Sequence, residues 1–258
     1  MARIHPTAIV APEAELHDTV EIGPYAVVGP HVKIGEGTTV GAHVVIEGDT
    51  TIGRRNRIFQ FAAIGAVPQD LKYRGQPTRL EIGDENLVRE FATLHIGTVE
   101  GGGVTRVGNR CLLQVYSHVA HDCILGNGVI LGAGAMLAGH VVVEDFAIFG
   151  GKCGVHQFVR VGTHAFISGM TGVGMDVPPY CVVAGHRAEL AGLNTVGLTR
   201  HKFGEDQIRN IKNAYRTVFR EKLQLREAIT RVRAELGEDA NVEHFLRFIE
   251  GSERGVTR

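Results

Sequence analysis

The sequence predicts an all-β solenoid, a parallel β-helix of hexapeptide repeats, followed by a small C-terminal α-helical domain. An aliphatic residue, once a Phe, recurs every six positions in two long runs. Neither the 3.6-residue period of a helix nor the two-residue alternation of a strand produces this spacing. The two runs are Ile4, Val10, Leu16, Ile22, Val28, Ile34, Val40, Ile46, Ile52, Ile58 and Ile64, then Val107, Leu113, Val119, Leu125, Leu131, Leu137, Val143, Phe149, Val155, Val161, Ile167 and Val173.

The other positions of the repeat explain why six residues form a unit. Glycine often follows the aliphatic residue, as at Gly23, Gly35 and Gly150, and we attribute this to a turn that needs glycine's backbone freedom. Three positions later stands a small or β-branched residue, so large and small side chains alternate in a narrow core. Three units close one coil. Residues 18 positions apart therefore lie above one another at roughly 4.8 Å.

Composition excludes several classes of function. A net charge of −1 over 258 residues gives no general affinity for nucleic acid or anionic membranes. No apolar stretch is long enough to span a bilayer, and the first residues, with Glu13, Glu15 and Asp18, do not resemble a signal peptide. We therefore expect a cytoplasmic or at most peripheral protein. Three cysteines occupy the small inward position of the repeat and are expected to fill the core: Cys111, Cys123 and Cys153.

Interruptions of the period suggest the domain organisation. Residues 66–79 carry two prolines and no repeat pattern, which predicts a loop extruded from the β-helix, and long loops on rigid scaffolds often carry function. Ile82 follows Ile64 by 18 residues, so this first break keeps the phase, whereas a second break at Gly101-Gly102-Gly103 shifts it by one residue between Leu94 and Val107. We assign residues 1–189 to the β-helix and 190–258 to the helical domain, where Asn241 is the expected N-cap of the last helix.

The helical region carries a small excess of positive charge. Residues 200–258 contain 13 Lys and Arg against 10 Asp and Glu. This excess is consistent with a solvated helix face or with a docking patch for an acidic partner, and the charges alone do not decide.

Polar residues that interrupt the repeat form a strip across three coils. His118, His121 and Asp122 cluster within six residues of sequence. By the spacing of 18, His121 lies in register with Gly139 and then Gln157, and Asp122 with His140. The predicted strip comprises His121, Asp122, Gly139, His140, His156 and Gln157.

Two chemistries compete for this strip. β-Helical carbonic anhydrases hold zinc with three histidines, two of them five residues apart in one chain, and no pair of histidines in the strip has that spacing. Acyl transfer instead needs a neutral imidazole that takes a proton from a hydroxyl and a backbone N–H that stabilises an oxyanion. His121 and Gly139, one coil apart, supply both, so the spacing favours acyl transfer without a metal.

Several motifs resemble those of the UDP-N-acetylglucosamine acyltransferase family, whose enzymes catalyse the first step of lipid A biosynthesis. The resemblance covers essentially the whole chain. It is carried by HPTAIV (5–10), GPHVKIGEGT (29–38), QDLKY (69–73), GQPTRLEIGD (75–84), HVAHDC (118–123), LAGH (137–140), VHQF (155–158) and DVPPY (176–180). The handedness of the coil does not follow from the period, and the resemblance implies a left-handed β-helix.

The resemblance also implies a role for each candidate residue. His121 would be the general base, Asp122 its orienting partner and Gly139 the oxyanion donor. Gln69, Asp70 and Lys72 would reach substrate bound to a neighbouring subunit of a homotrimer. The remaining candidates are substrate contacts and the residues that measure the acyl chain: His95, His118, His140, His156, Gln157, Asn194 and Arg200 for substrate, and Gly169 with Met170 for chain length.

The implied reaction moves a (3R)-3-hydroxyacyl chain from acyl carrier protein to the 3-position of UDP-N-acetylglucosamine. The donor is a phosphopantetheine thioester, and no cofactor is expected. The chain departs from the family pattern at Ile96, Val196 and His201, where the family commonly has Arg, an acidic residue and Arg. The alternatives are a 3-amino sugar acceptor, a coenzyme A donor, a γ-type carbonic anhydrase-like metal site and a non-enzymatic β-solenoid scaffold.

Overall fold

Three parallel β-sheets form the sides of a triangular left-handed β-helix, and a small helical domain follows it, as the sequence predicts. The computed structural model describes residues 1–258. Sheet I contains eleven strands, the last of which is antiparallel to the others, sheet II contains nine and sheet III eight, and the β-helix visits them in the order I, II, III. We name the turns between them the I–II, II–III and III–I corners.

Most strands are only two residues long, because the chain turns a corner every six residues. In chain order the strands are β1 (Arg3–Ile4), β2 (Ile9–Val10), β3 (Glu15–Leu16), β4 (Glu21–Ile22), β5 (Val27–Val28), β6 (Val32–Ile34), β7 (Thr39–Val40), β8 (Val45–Ile46), β9 (Asp49–Ile52), β10 (Arg57–Ile58), β11 (Ala63–Ala66), β12 (Arg79–Ile82), β13 (Leu87–Val88), β14 (Thr93–His95), β15 (Val104–Val107), β16 (Leu112–Leu113), β17 (His118–Val119), β18 (Ile124–Leu125), β19 (Ile130–Leu131), β20 (Met136–Leu137), β21 (Val142–Val143), β22 (Ile148–Phe149), β23 (Gly154–Val155), β24 (Arg160–Val161), β25 (Phe166–Ile167), β26 (Gly172–Val173), β27 (Cys181–Ala184) and β28 (Glu189–Leu193).

The aliphatic residue of each repeat forms the core. Ile22, Ile46 and Leu131, for example, are almost completely buried. Each coil is linked to the next by backbone hydrogen bonds, such as those that the N–H groups of Gly23 and Gly41 donate to carbonyls one coil further on. Forty-three buried residues form this one continuous cluster. All four cysteines are buried and unpaired, as expected for the three that we assigned to the core.

The glycines after the aliphatic residues have a different role from the one expected. Gly35 and Gly150 are not among the residues with positive φ. A Cβ on Gly35 would lie 2.8 Å from the backbone of Gly53, and one on Gly150 would lie 2.5 Å from the nitrogen of Gly169. The close approach of the next coil therefore selects glycine here, and our explanation by backbone freedom was wrong.

Positive φ values occur two positions later in the repeat, at residues with side chains. Tyr25 (φ 58°) and Phe61 (φ 65°) are examples at the I–II corner. The strain of this conformation is offset by stacking between coils. At this corner the rings of Tyr25, His43, Phe61, Phe91 and Tyr116 stack in a ladder with centroid separations of 4.9 to 5.1 Å.

Both insertions occur at the II–III corner. Residues 67–78 connect β11 to β12, and residues 96–103 connect β14 to β15. Strand pairing continues across them, because Ile52 pairs with Ile82 and Leu94 with Val119. The extra residues are therefore displaced to one edge of the prism.

The helical domain begins with β28, which pairs antiparallel with β27. Four helices follow: α1 (Thr195–Arg200), α2 (Glu205–Arg220), α3 (Leu225–Leu236) and α4 (Ala240–Glu250). The expected N-cap Asn241 was wrong, because α4 begins earlier and the carboxylate of Asp239 accepts the N–H groups of Asn241 and Val242. No helix is both long and apolar enough to cross a bilayer.

A cluster of rings joins the helical domain to the III–I corner of the β-helix. His164 is 7% exposed, and its ring centroid lies 5.0 Å from that of Phe146 and 4.6 Å from that of His201. Phe203 and Tyr180 complete the cluster. Burial lowers the pKa of His164 to about 4, and the neighbouring His201 acts in the same direction.

We expect this histidine to make the fold sensitive to acid. Because its folded pKa lies below the unfolded value of about 6.5, its neutral form contributes stability that is present above that pH and is lost as the pH falls toward 4. The free energy of unfolding of the wild type should fall between pH 6.5 and pH 4, and replacing His164 by Gln should make this fall smaller by up to about 3 kcal/mol. Denaturant unfolding at several pH values measures it. His5→Gln, at an exposed histidine, is the control, and an unchanged slope for His164→Gln would contradict this account.

Candidate active site

The candidate site lies at the II–III corner, where His121 and Asp122 fill the turn between β17 and β18. Asp122 occupies the corner position with positive φ (61°), which Asp tolerates better than most residues. Its backbone N–H donates to Thr105 Oγ1 at 2.8 Å. The turn therefore fixes the backbone that carries both side chains.

Asp122 and His121 form a hydrogen-bonded pair. The Asp122 side chain is 1% exposed, and its Oδ2 lies 2.7 Å from His121 Nδ1. Thr98 donates its backbone N–H to Oδ1 at 2.8 Å and its hydroxyl to Oδ2 at 2.6 Å. An ionised carboxylate only accepts hydrogen bonds, so His121 carries its proton on Nδ1. His121 Nε2 then has a free lone pair, as a general base requires.

Gly139 lies directly beneath the His121 ring. A Cβ at this position would be 2.5 Å from His121 Cε1 and 2.7 Å from Nε2, so only glycine leaves room for the imidazole. The N–H of Gly139 has no hydrogen-bond partner in the protein. At the same turn position in other coils a neighbouring side chain accepts this N–H, as Asp84 does for Arg54 and Asp145 for Asn127. Gly139 thus presents an unpaired donor beside the His121 Nε2.

The other histidines near His121 are held neutral. His140, on the next coil, stacks on Phe158 at 4.3 Å, and burial lowers its pKa although the charge of Asp122 acts in the opposite direction. Burial also lowers the pKa of His118, whose Nδ1 lies 2.7 Å from Thr93 Oγ1. His95 packs edge-on against His118 at 4.9 Å, and its pKa is lowered to about 4 by burial and by the nearby histidines.

His156 and Gln157 follow one coil further on and are exposed. Arg254, near the C-terminus, returns to this edge, and its Nη2 lies 3.2 Å from His156 Nδ1. Sequence reasoning missed Arg254, because 98 residues separate the two positions and no repeat relates them.

The extruded loop lies at the same corner as His121. The Lys72 ammonium group pairs with Glu100 of the second insertion at 3.2 Å, and the Asp70 carboxylate accepts the Lys72 backbone N–H. Gln69 is exposed. Burial lowers the pKa of His140, and the negative charges of Asp70 and Glu100 on these two loops act in the opposite direction.

Asn194 and Arg200 lie elsewhere in the chain. Asn194 caps α1 by accepting the Gly197 N–H, and its amide donates to the carbonyl of His164 at the III–I corner. Arg200 is exposed at the end of α1. A single chain therefore does not bring these two residues together with His121.

An apolar groove of about 840 Å³ crosses the outer face of sheet II beside His118 and is lined by Met136, Gly154 and His156. A second groove of about 510 Å³ shares Met136 and Gly154 with it and reaches the I–II corner. Gly169 and Met170 lie at that corner, and Met170 is 74% exposed. The two grooves form a path from the His121 edge toward the residues expected to measure chain length.

His121, Asp122 and His140, which the spacing of 18 places in one strip, also bring one potential metal-ligand atom each within 4.8 Å of one another. His140 Nδ1 is 3.8 Å from Asp122 Oδ2. That oxygen already accepts hydrogen bonds from Thr98 and His121. This donor set fits a base and its orienting carboxylate better than a set of free metal ligands.

Comparison with known proteins agrees with both parts of the chain. Residues 176–257 match the family described as UDP-N-acetylglucosamine O-acyltransferase, domain 2, and residues 13–48 and 104–139 match the bacterial transferase hexapeptide family. The chain is 58% identical over 258 residues to the acyl-[acyl-carrier-protein]--UDP-N-acetylglucosamine O-acyltransferase of Myxococcus xanthus, covering 100% of both chains. It is 57% identical to the protein of that name from Anaeromyxobacter sp., covering 99% of each.

Solved structures show the same similarity. The UDP-N-acetylglucosamine acyltransferase of Francisella novicida superimposes with a TM-score of 0.96 at 42% identity, over 99% of this chain and 94% of that one. The structure of the Acinetobacter baumannii enzyme gives a TM-score of 0.96 at 41% identity, over 99% of both chains. Similarity of this extent and identity establishes common membership, and the chain belongs to the UDP-N-acetylglucosamine O-acyltransferase family.

Proposed function

We propose that this protein transfers a (3R)-3-hydroxyacyl chain from acyl carrier protein to the 3-hydroxyl of UDP-N-acetylglucosamine, the first step of lipid A biosynthesis. The names of its relatives support the donor and the acceptor. The observation that carries the chemistry is the stacking of the His121–Asp122 pair over the unpaired N–H of Gly139. A cytoplasmic location remains a prediction.

In this mechanism His121 Nε2 removes the proton of the sugar 3-hydroxyl as its oxygen attacks the thioester carbonyl. The Gly139 N–H stabilises the oxyanion of the tetrahedral intermediate, and Asp122 stabilises the imidazolium. The intermediate then collapses, the carbon–sulfur bond breaks, and the imidazolium returns its proton to the departing phosphopantetheine sulfur. Protons balance, so neither metal nor cofactor is required.

The remaining residues of the strip would bind substrate. His95, His118 and His140 are uncharged at neutral pH and can contact hydroxyls without attracting a counter-ion. His156 and Gln157 are accessible on the next coil. We assign the loop residues Gln69, Asp70 and Lys72, together with Asn194 and Arg200, to substrate contacts across a subunit boundary.

Product analysis tests this proposal and its alternatives. With UDP-N-acetylglucosamine and acyl carrier protein thioesters, mass spectrometry should detect one hydroxyacyl group on the sugar. His121→Ala should lower kcat at least about 100-fold through loss of the general base, with an unchanged circular dichroism spectrum. Turnover only with a 3-amino sugar or a coenzyme A donor would favour those alternatives, and inactivation by a chelator reversed by zinc would favour a metal site. Near-normal turnover of His121→Ala would remove it from the mechanism.

We also propose a homotrimer with active sites between subunits. Asn194 and Arg200 lie at a different corner of the prism from His121, so one complete site needs two copies of the chain. Light scattering should give three times the 27.9 kDa of one chain. Coexpressed His121→Ala and Arg200→Ala chains should recover activity that neither variant has alone. A monomer with full activity would contradict this assembly.

Acyl length should depend on Gly169. A Cβ there would have only ordinary contacts, 3.4 Å from Gly151 O at the nearest, so larger side chains fit without disturbing the coil. Because Gly169 has no side chain, the groove stays open at this end. We therefore expect a preference for acyl chains of about twelve to fourteen carbons, since each CH₂ group buried in the groove contributes about 0.8 kcal/mol to binding. Gly169→Met should shift the preference to shorter chains in competition assays. Met170→Ala is the matched variant that tests the adjacent side chain, and an unchanged profile for Gly169→Met would place the limit elsewhere.

A further inference from the structure

The second insertion of the β-helix wraps around the Asp122 carboxylate. Thr98 is the centre of this insertion, because its carbonyl accepts the N–H groups of Gly101 at 3.2 Å and Gly103 at 2.8 Å. Thr98 is 5% exposed. Its own N–H and hydroxyl both donate to Asp122, one to each carboxylate oxygen.

The direction of the Thr98 hydroxyl is fixed from both sides. Thr98 Oγ1 accepts the Gly101 N–H at 3.2 Å, and an ionised carboxylate has no proton to donate. The hydroxyl proton must therefore point at Asp122 Oδ2, the same oxygen that receives the His121 Nδ1 proton. Two donors on one oxygen hold the carboxylate plane at a single angle to the imidazole.

The insertion also shields the Asp122 carboxylate from water. Gly101 lies so close to Asp122 that a Cβ on it would overlap the carboxylate. The Asp122 side chain is 1% exposed, so its hydrogen bonds act at low local dielectric. In that environment their orientation strongly affects how well the carboxylate stabilises the imidazolium that forms during the reaction.

We propose that Thr98 is a positioning residue for this reaction, which fixes the Asp122 carboxylate and through it the His121 ring. This inference rests on the proposed role of His121 as general base. The insertion at residues 96–103 then supplies an outer support that the regular hexapeptide turn, with no spare residues, does not provide.

Thr98→Val tests this role, since it removes the hydroxyl and keeps the shape. We expect kcat to fall about tenfold, the loss associated with one charge-assisted hydrogen bond, while KM for both substrates stays within about twofold. Thr98→Ser, which keeps the hydroxyl, should restore most of the turnover. Thr98→Ala also removes the hydroxyl and should lower kcat to a similar extent. It serves as the test variant if Thr98→Val folds poorly.

A double-mutant comparison shows whether Thr98 acts through Asp122. In the background of Asp122→Ala, the Thr98→Val change should cost no further turnover, because its target is gone. Thr38→Val, at a buried threonine of the β-helix far from the site, controls for a general loss of a buried hydroxyl and should leave kcat unchanged.

The outcomes separate this inference from the proposed function. Wild-type kcat for Thr98→Val beside an inactive His121→Ala would overturn the role of Thr98 and leave the base intact. An additive loss in the Asp122→Ala background would also overturn it, since Thr98 would then act independently of the carboxylate. Normal turnover of His121→Ala would overturn both proposals.

Discussion

The distance between successive coils is the constraint on which the site depends. Backbone hydrogen bonds along the β-helix hold neighbouring coils at one strand spacing, so whatever lies between two turns must fit that gap. Where the backbones approach most closely only glycine fits, as at Gly35 and Gly150. The same limit places the flat imidazole of His121 against Gly139, with its Nε2 beside a backbone N–H. A base and an oxyanion donor thus become neighbours through the regular geometry of the scaffold.

Irregular segments are added at one edge only. Both insertions project from the β-helix between sheets II and III. Lys72 of the first insertion forms an ion pair with Glu100 of the second. This is also the edge of His121, Asp122 and His140. A solenoid tolerates insertions at a corner because strand pairing resumes on the next coil, as it does at Ile82 and Val119. The edge that carries the candidate chemistry is therefore the one that carries the extra residues.

The sequence alone predicts much of this arrangement and misses a definable part. The six-residue period assigns core and corner positions, and the spacing of 18 places His121 over Gly139 because no insertion lies between them. The same spacing cannot relate Thr98 to Asp122, which are 24 residues apart across an insertion, or His156 to Arg254. The N-cap of α4 was missed by two residues, because Asp239 and Asn241 are both good caps and the apolar pattern does not fix the first turn.

The structure also distinguishes the base from the other histidines around it. Burial lowers the pKa of both His95 and His118, with His121 acting in the same direction, and neither is bonded to a carboxylate. His140 approaches Asp122, but its Nδ1 stays 3.8 Å from the oxygen that His121 reaches at 2.7 Å. Only His121 thus combines a bonded carboxylate, which stabilises the charge gained on protonation, with a free Nε2 above an unpaired N–H. Because the neighbouring histidines are neutral, they add no positive charge that would repel the imidazolium formed when His121 takes up a proton. The free-energy cost of protonating His121 is lower as a result.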